Sequence, residues 1–253
     1  MVSRPKQSSV RKREVNRYIY KLKRKFLSAR RNNLRKTIEN IASFIEDIHF
    51  EWNYKVETAQ YVQLKNLHIL QANKDLGVDY EPVRARAFRK LMAHLELPTN
   101  LVFTDMGCGK GRAMILAAEF SFRRIIGVEF STALCAACKR NIAAFCMRQT
   151  EGPEFAIIEA DAAEYCVTKD ETVFFFFNPF GPPVMEAVLR SIRYSLNQEL
   201  RTVWIILANP KDLGPVVDRT LAIGMRTREF SYGSVEFRVW SNDQVARIQQ
   251  GSD

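Results

Sequence analysis

Hydrophobic positions in the first part of the chain recur at helical spacing. Val15, Tyr18, Ile19, Leu22 and Phe26 fall at i, i+3, i+4 and i+7, and Leu34, Ile38, Ile41, Ile45 and Ile48 continue the pattern. The opposite face is largely Lys and Arg. A second helix is expected from about Val56 to Asn73, anchored by Tyr61, Leu64 and Leu67. A third is expected over Val83 to His94, where Pro82 suits a helix start. The pattern then changes to short apolar runs that alternate with helices. The runs are LVFTDM (101–106), RRIIGVEF (123–130), EFAIIEAD (154–161), TVFFFFNPF (172–180) and TVWIILANP (202–210). Helices are expected at Arg112 to Phe120, Thr132 to Arg148, Pro183 to Leu196 and Asp212 to Leu221. Continuous apolar runs predict strands buried on both faces of a parallel sheet, and their alternation with helices predicts a doubly wound α/β domain. MRTREFSY (225–232) and VEFRVWS (235–241), joined at Gly233-Ser234, read as a β-hairpin.

The expected fold is therefore Rossmann-like: a mostly parallel seven-stranded α/β sheet with an antiparallel C-terminal hairpin and a helical N-terminal extension. The expected organisation is a disordered basic tail over 1–13, a helical basic extension over 14–79, the α/β domain over 80–243 and a tail over 244–253.

Charge sharpens this division. Residues 1–40 hold 14 Lys/Arg and two acids, Glu14 and Glu39, for a net +12 within a chain whose total is +10. The rest is near neutral, so the basic character belongs to an N-terminal arm. Residues 4–36 would suit a phosphate-bearing partner, nucleic acid or an acidic surface, or serve as a solvated helix face. The hydrophobic fraction of 47% is ordinary for a soluble protein, and no apolar run reaches the ~20 residues of a membrane span. The start lacks the apolar core of a secretory signal, and five scattered cysteines fit a reducing compartment. The expected location is cytoplasmic, with a mitochondrial presequence as the alternative. Cys135 and Cys138 form a lone C-x-x-C on a helix, too few ligands for zinc, so no metal is expected.

Candidate chemistry gathers at the strand ends. In LVFTDMGCGKGRAMILAA, three glycines at alternate positions, Gly107, Gly109 and Gly111, follow a run that ends near Asp105. Each glycine weakens a strand or helix by about 0.5–1 kcal/mol relative to alanine, so a ligand is the natural compensation. A dinucleotide fingerprint requires a small third residue, and position 112 is Arg. A phosphate loop, G-x-x-x-x-G-K-[ST], is absent. Acids recur at the ends of later strands, as Glu129 and Asp161, and Asn178-Pro179-Phe180-Gly181 follows the fourth.

This constellation resembles class I S-adenosylmethionine-dependent methyltransferases. The resemblance covers about residues 80–241 and rests on DMGCGKG, Glu129 in GVEF, Asp161 in EADAAEY, NPFG and the terminal hairpin. It implies S-adenosyl-L-methionine as cofactor. The turn at Met106, Gly107, Gly109 and Gly111 would pass under the methionine part. Asp105 would act near the aminoacyl group, and Glu129, with Phe130 beside it, would accept the ribose hydroxyls. Asp161 would lie by the adenine amine, with the Ala162 N–H facing the ring.

NPFG is similar to the fourth motif of that superfamily, which faces the substrate. Asn178, Pro179 and Phe180 are the implied catalytic residues, and Asn178 would also border the cofactor. The N-P-P-Y form that holds a planar amine is matched only in part: Phe180 replaces Pro and Gly181 replaces the aromatic. Tyr80-Glu81-Pro82 is similar to the Tyr-containing loop that covers the cofactor in Dot1-like lysine methyltransferases, a suspected branch. The implied reaction is methyl transfer to a nitrogen nucleophile of a protein, amide or small molecule. None of His49, His68 and His94 lies in a catalytic context, which disfavours an oxygen nucleophile needing a base. The alternatives are a nucleic-acid methyltransferase guided by the arm, a non-catalytic nucleic-acid-binding protein of the same fold, and a nicotinamide enzyme.

Overall fold

The computed structural model describes residues 34–63, 79–221 and 224–243. The expected tails at 1–13 and 244–253, the helix over 14–33 and most of the helix expected to Asn73 lie outside the described residues. The chain divides into two compact units, Met1–Glu46 and Asp47–Asp253. Residues 34–46 of the first are helical, as the first turns of α1, Leu34–Tyr54.

In the second unit, residues 56–63 depart from expectation. They are irregular rather than helical. Lys55 takes a left-handed φ of 52°, and the Glu51 carboxylate accepts the Thr58 and Ala59 N–H groups at 2.5 Å each. A side chain thus satisfies donors that another helical turn would have used, and the chain leaves the helix axis. Val62 then pairs with Tyr80 in an isolated antiparallel bridge.

The remaining elements run in order as α2 (Ala85–Leu95), β1 (Leu101–Met106), α3 (Arg112–Ala117), β2 (Phe122–Glu129), α4 (Thr132–Cys146), β3 (Glu154–Glu159), β4 (Val173–Phe177), α5 (Pro182–Gln198), β5 (Trp204–Ala208), α6 (Gly214–Thr220), β6 (Arg226–Tyr232) and β7 (Val235–Ser241). They build one seven-stranded sheet of order β3-β2-β1-β4-β5-β7-β6. β1 to β5 pair in parallel, and β7 lies antiparallel between β5 and β6. The doubly wound sheet with its antiparallel C-terminal hairpin is the fold the sequence predicts.

The period of two along each strand divides the core into two layers. Phe103, Ile125, Phe175 and Ile206 face Phe88 and Leu91 of α2, Ile115 and Leu116 of α3, and Ile142 and Phe145 of α4. Val102, Ile126, Phe174, Phe176 and Ile205 face Met185, Val188, Leu189 and Ile192 of α5 and Val216 and Val217 of α6. The four consecutive phenylalanines of TVFFFF therefore serve both layers in turn. β3 is an edge strand and only half-buried, unlike the central strands. Just before β4, the fully buried Glu171 is satisfied by the Thr104 hydroxyl at 2.6 Å, the Tyr165 hydroxyl at 3.0 Å and the Thr168 N–H at 2.7 Å.

The topology positions a site. From β1 the chain winds to β2 and β3 on one side, whereas β4 lies on the other side of β1. The two connections diverge at the C-terminal ends of β1 and β4. Open α/β sheets bind ligands in the crevice at such a switch point.

Candidate cofactor site

A cavity opens at this crevice. Its floor is the turn after β1. The Gly107 and Cys108 N–H groups both donate to the Val128 carbonyl of β2, at 2.9 and 3.0 Å. Gly107 has φ of 85°, and a Cβ there would come within 2.5 Å of the Pro179 Cβ. Gly109 has φ of 54°, and a Cβ there would strike the Tyr80 ring at 2.3 Å. At both positions the left-handed backbone and the close neighbour exclude a side chain.

Five carboxyl groups line the cavity, Asp79, Glu81, Asp105, Glu129 and Asp161. Glu129, at the end of β2 and 4% exposed, accepts the Gly109 N–H at 2.9 Å through Oε2 and the Ser131 N–H at 2.9 Å through Oε1. Burial raises its pKa, and the backbone donors of Ser131, Gly109 and Phe130 pull it back down. Asp105, at the end of β1 and paired in register with Phe175, is pushed up to about 8 by burial and by the nearby Glu129 charge. Asp161 follows β3, and its Oδ1 accepts the Ala163 N–H at 2.8 Å, closing a turn over residues 161–164. Glu81 lines the cavity from the segment before α2.

Tyr80, in the same segment, lays its ring against Gly109 and donates its hydroxyl to the Thr58 carbonyl at 2.7 Å. Burial raises its phenol pKa strongly. On the far rim, Asn178 takes a left-handed φ of 45°, Pro179 abuts Gly107, and the Phe180 ring packs on Phe176 at 6.2 Å between centroids.

Tyr80, Asp105, Gly107, Gly109, Glu129, Phe130, Asp161, Ala162, Asn178, Pro179 and Phe180 all line this one cavity. Two residues named from the sequence do not. Met106 turns into the layer beneath α5 and is fully buried there, because alternation along β1 points it away from Asp105. Gly111 lies at the N-cap of α3 against α4, where a Cβ would meet the Cys138 Sγ at 2.7 Å. Neither His49 nor His94 lines the cavity. Cys135 and Cys138 are buried free thiols.

Arg112 also lines the cavity and was visible in the sequence only as the residue that spoils a dinucleotide fingerprint. It is 2% exposed. Its Nε donates to the Val83 carbonyl at 2.9 Å, its Nη1 to the Thr58 hydroxyl at 2.8 Å and its Nη2 to Asp47 at 2.5 Å. The guanidinium also lies 4.6 Å from the Phe50 ring centroid.

No protein-family model matches the chain, and no curated protein is similar to it in sequence. Solved structures are similar. A precorrin-6y C5,15-methyltransferase of Geobacter metallireducens is 15% identical over 70% of this chain and 93% of its own, with a TM-score of 0.49. A SAM-dependent methyltransferase of Aquifex aeolicus is 9% identical over 61% of this chain and 88% of its own, with a TM-score of 0.48. A TehB-like SAM-dependent methyltransferase of Corynebacterium glutamicum is 14% identical over 60% of this chain and 85% of its own, with a TM-score of 0.41. At these identities and TM-scores the fold rests on the strand order above.

Proposed function

We propose that the protein is an S-adenosyl-L-methionine-dependent methyltransferase acting on a nitrogen nucleophile. The observation that carries this reading is the set of carboxyl groups at the cavity, which a cationic ligand would draw toward their charged form. Asp79, Glu81, Asp105, Glu129 and Asp161 line it, and its one basic lining residue among those described is Arg112. That guanidinium spends its Nε, Nη1 and Nη2 on protein acceptors. Such a cavity favours sulfonium and ammonium groups and disfavours pyrophosphate or triphosphate.

The residues fit the cofactor. Glu129 is held by the Gly109 and Ser131 N–H groups with the Phe130 N–H beside them, and a carboxylate offers about four acceptor positions, so it retains capacity for a ribose hydroxyl. Gly107 and Gly109 present bare backbone to the cavity, with Pro179 and Tyr80 packed where their side chains would be, and an amino-acid tail would run along that backbone. Asp105 would face that tail's ammonium. Asp161 and Ala162 would border the base. The bound cofactor would supply an electrophilic methyl group on sulfur.

Asn178 and the Pro179 carbonyl would orient the acceptor nitrogen and its lone pair, and Phe180 would shape that end of the cavity. Positioning would supply most of the acceleration, since a neutral amine needs no strong base at the moment of attack. Tyr80-Glu81-Pro82 and the carboxylate-rich rim together support an amine acceptor of the kind used by Dot1-like lysine methyltransferases. The basic arm supports a second reading, in which the acceptor is a nucleic acid or a protein bound to one.

Incubating the purified protein and cell extract with methyl-labelled S-adenosylmethionine, followed by mass spectrometry, tests the activity. The reading expects a labelled acceptor that is lost with Asn178→Ala. Label on no species at all would overturn it.

A further inference from the structure

Residues 57–60 form a strap against the glycine turn, fastened by three side chains from that turn and its neighbouring helices. The Lys110 Nζ donates to the Gln60 carbonyl at 3.0 Å. Asn141 of α4 accepts the Glu57 N–H at 3.0 Å and donates to the Lys110 carbonyl at 2.9 Å. Arg112 holds the Thr58 hydroxyl at 2.8 Å and the Val83 carbonyl at 2.9 Å, so it grips the chain on both sides of Tyr80. Thr58 in turn accepts the Tyr80 hydroxyl on its carbonyl at 2.7 Å. Asp47 anchors the guanidinium itself and also pairs with Arg84 at 2.9 Å.

We infer that Arg112 is a positioning residue for the cofactor cavity, acting through Thr58 and Val83 to hold the Tyr80 ring on Gly109. The inference rests on the methyltransferase reading for its ligand, but the geometry it describes does not. The side chain at position 112, where a dinucleotide fingerprint would have a small residue, reaches out instead to Asp47, Thr58 and Val83. Its guanidinium ties Asp47 and Thr58 to the segment 79–83, which walls the cavity. Buried multidentate guanidinium bonds suit this task, because a lysine offers a point charge and no fork.

Two measurements test it. In the first, S-adenosylhomocysteine is titrated calorimetrically into the wild type, Arg112→Lys, Tyr80→Phe and the double variant, with circular dichroism to confirm folding. Each single variant is expected to weaken binding about tenfold, and the double variant about tenfold as well, because the two residues act in one chain. Independent losses that multiply to about a hundredfold would overturn the inference. Thr58→Ser should retain most of the affinity that Thr58→Ala loses, and equal losses would also overturn it.

The second measurement needs no nucleoside. Tyrosine labelled with 13C at Cζ reports ionisation of Tyr80, assigned by Tyr80→Phe. Burial raises this phenol, Arg112 lowers it, and Glu51, Asp105 and Cys138 raise it. Arg112→Lys keeps the cation and loosens the strap, so Tyr80 should begin to ionise at a lower pH than in the wild type. A Tyr80 that titrates as in the wild type would overturn the inference. A wild type that ignores S-adenosylhomocysteine while Tyr80 responds to Arg112→Lys would sink the methyltransferase reading and leave the positioning role standing.

Discussion

The Glu129 carboxylate and the Gly109 N–H are joined by a 2.9 Å hydrogen bond across the floor of the cavity. One side chain at the end of β2 thus fixes the turn after β1 and still faces the space a ligand would fill. This gives Glu129→Ala two effects. On the proposed reading it removes an acceptor for a ribose hydroxyl, and it frees the turn along which the amino-acid tail would lie. Binding of S-adenosylhomocysteine should weaken by about 1–3 kcal/mol, the range for a hydrogen bond to a charged group. Glu129→Gln, which keeps one acceptor oxygen, should lose less. Isothermal calorimetry on the two variants checks the order.

Asp105 sets a pH dependence. Its folded pKa of about 8 lies above the ordinary 3.8 because burial and the Glu129 charge both oppose ionisation. Its contribution to the stability of the ligand-free protein is therefore complete below about pH 4 and is lost as pH rises through about 8. A cationic ligand group reverses the preference, since it stabilises the carboxylate. Affinity for S-adenosylhomocysteine should rise with pH up to about 8, by at most about tenfold per unit, and then level off. Asp105→Asn should weaken binding, flatten the profile and raise the melting temperature of the ligand-free protein at pH 8. Calorimetry across pH 6–9 and thermal melts provide both readouts.

Gly109 has no room for a side chain. Gly109→Ala would place a methyl group 2.3 Å from the Tyr80 ring at a φ of 54°. Either the ring leaves the turn or the turn changes shape. The expected cost in stability is about 1–3 kcal/mol from strain, with a larger loss of cofactor affinity. Gly152→Ala, whose Cβ would meet nothing within 4 Å, is the control and should bind normally. Urea denaturation and calorimetry separate the two effects.

The sheet was legible because strands buried on both faces leave unbroken apolar runs, and TVFFFF and WIILA allow no other placement. The hairpin was legible from alternation around Gly233-Ser234. Most of the cavity was legible because carboxylates at the ends of consecutive strands do not pack an apolar core. Two kinds of feature stayed hidden. Met106 and Gly111 belong to the glycine motif by position, but alternation along β1 and packing on α4 direct them elsewhere. The segment 56–63 has a helical pattern, yet Glu51 caps its backbone and Arg112 ties it to the α/β core over more than fifty residues of sequence. Periodicity reports local structure and carries no record of such distant bonds. The odd arginine after the third glycine was the one trace they left.

The basic arm makes a separate claim. Its net +12 over residues 1–40 would release counterions from a phosphate backbone. If the arm binds nucleic acid, retention on a nucleic-acid column should fall steeply between about 50 and 200 mM salt, and deletion of residues 1–33 should abolish it. Retention that is unchanged by salt or by the deletion would assign the charge to a solvated face.

Direct titration of S-adenosylhomocysteine into the wild-type protein, beside NADH under the same conditions, tests the central claim. The account predicts one nucleoside bound per chain with micromolar affinity, and no heat from the dinucleotide. Silence toward the nucleoside at millimolar concentration, or preference for NADH, would contradict it.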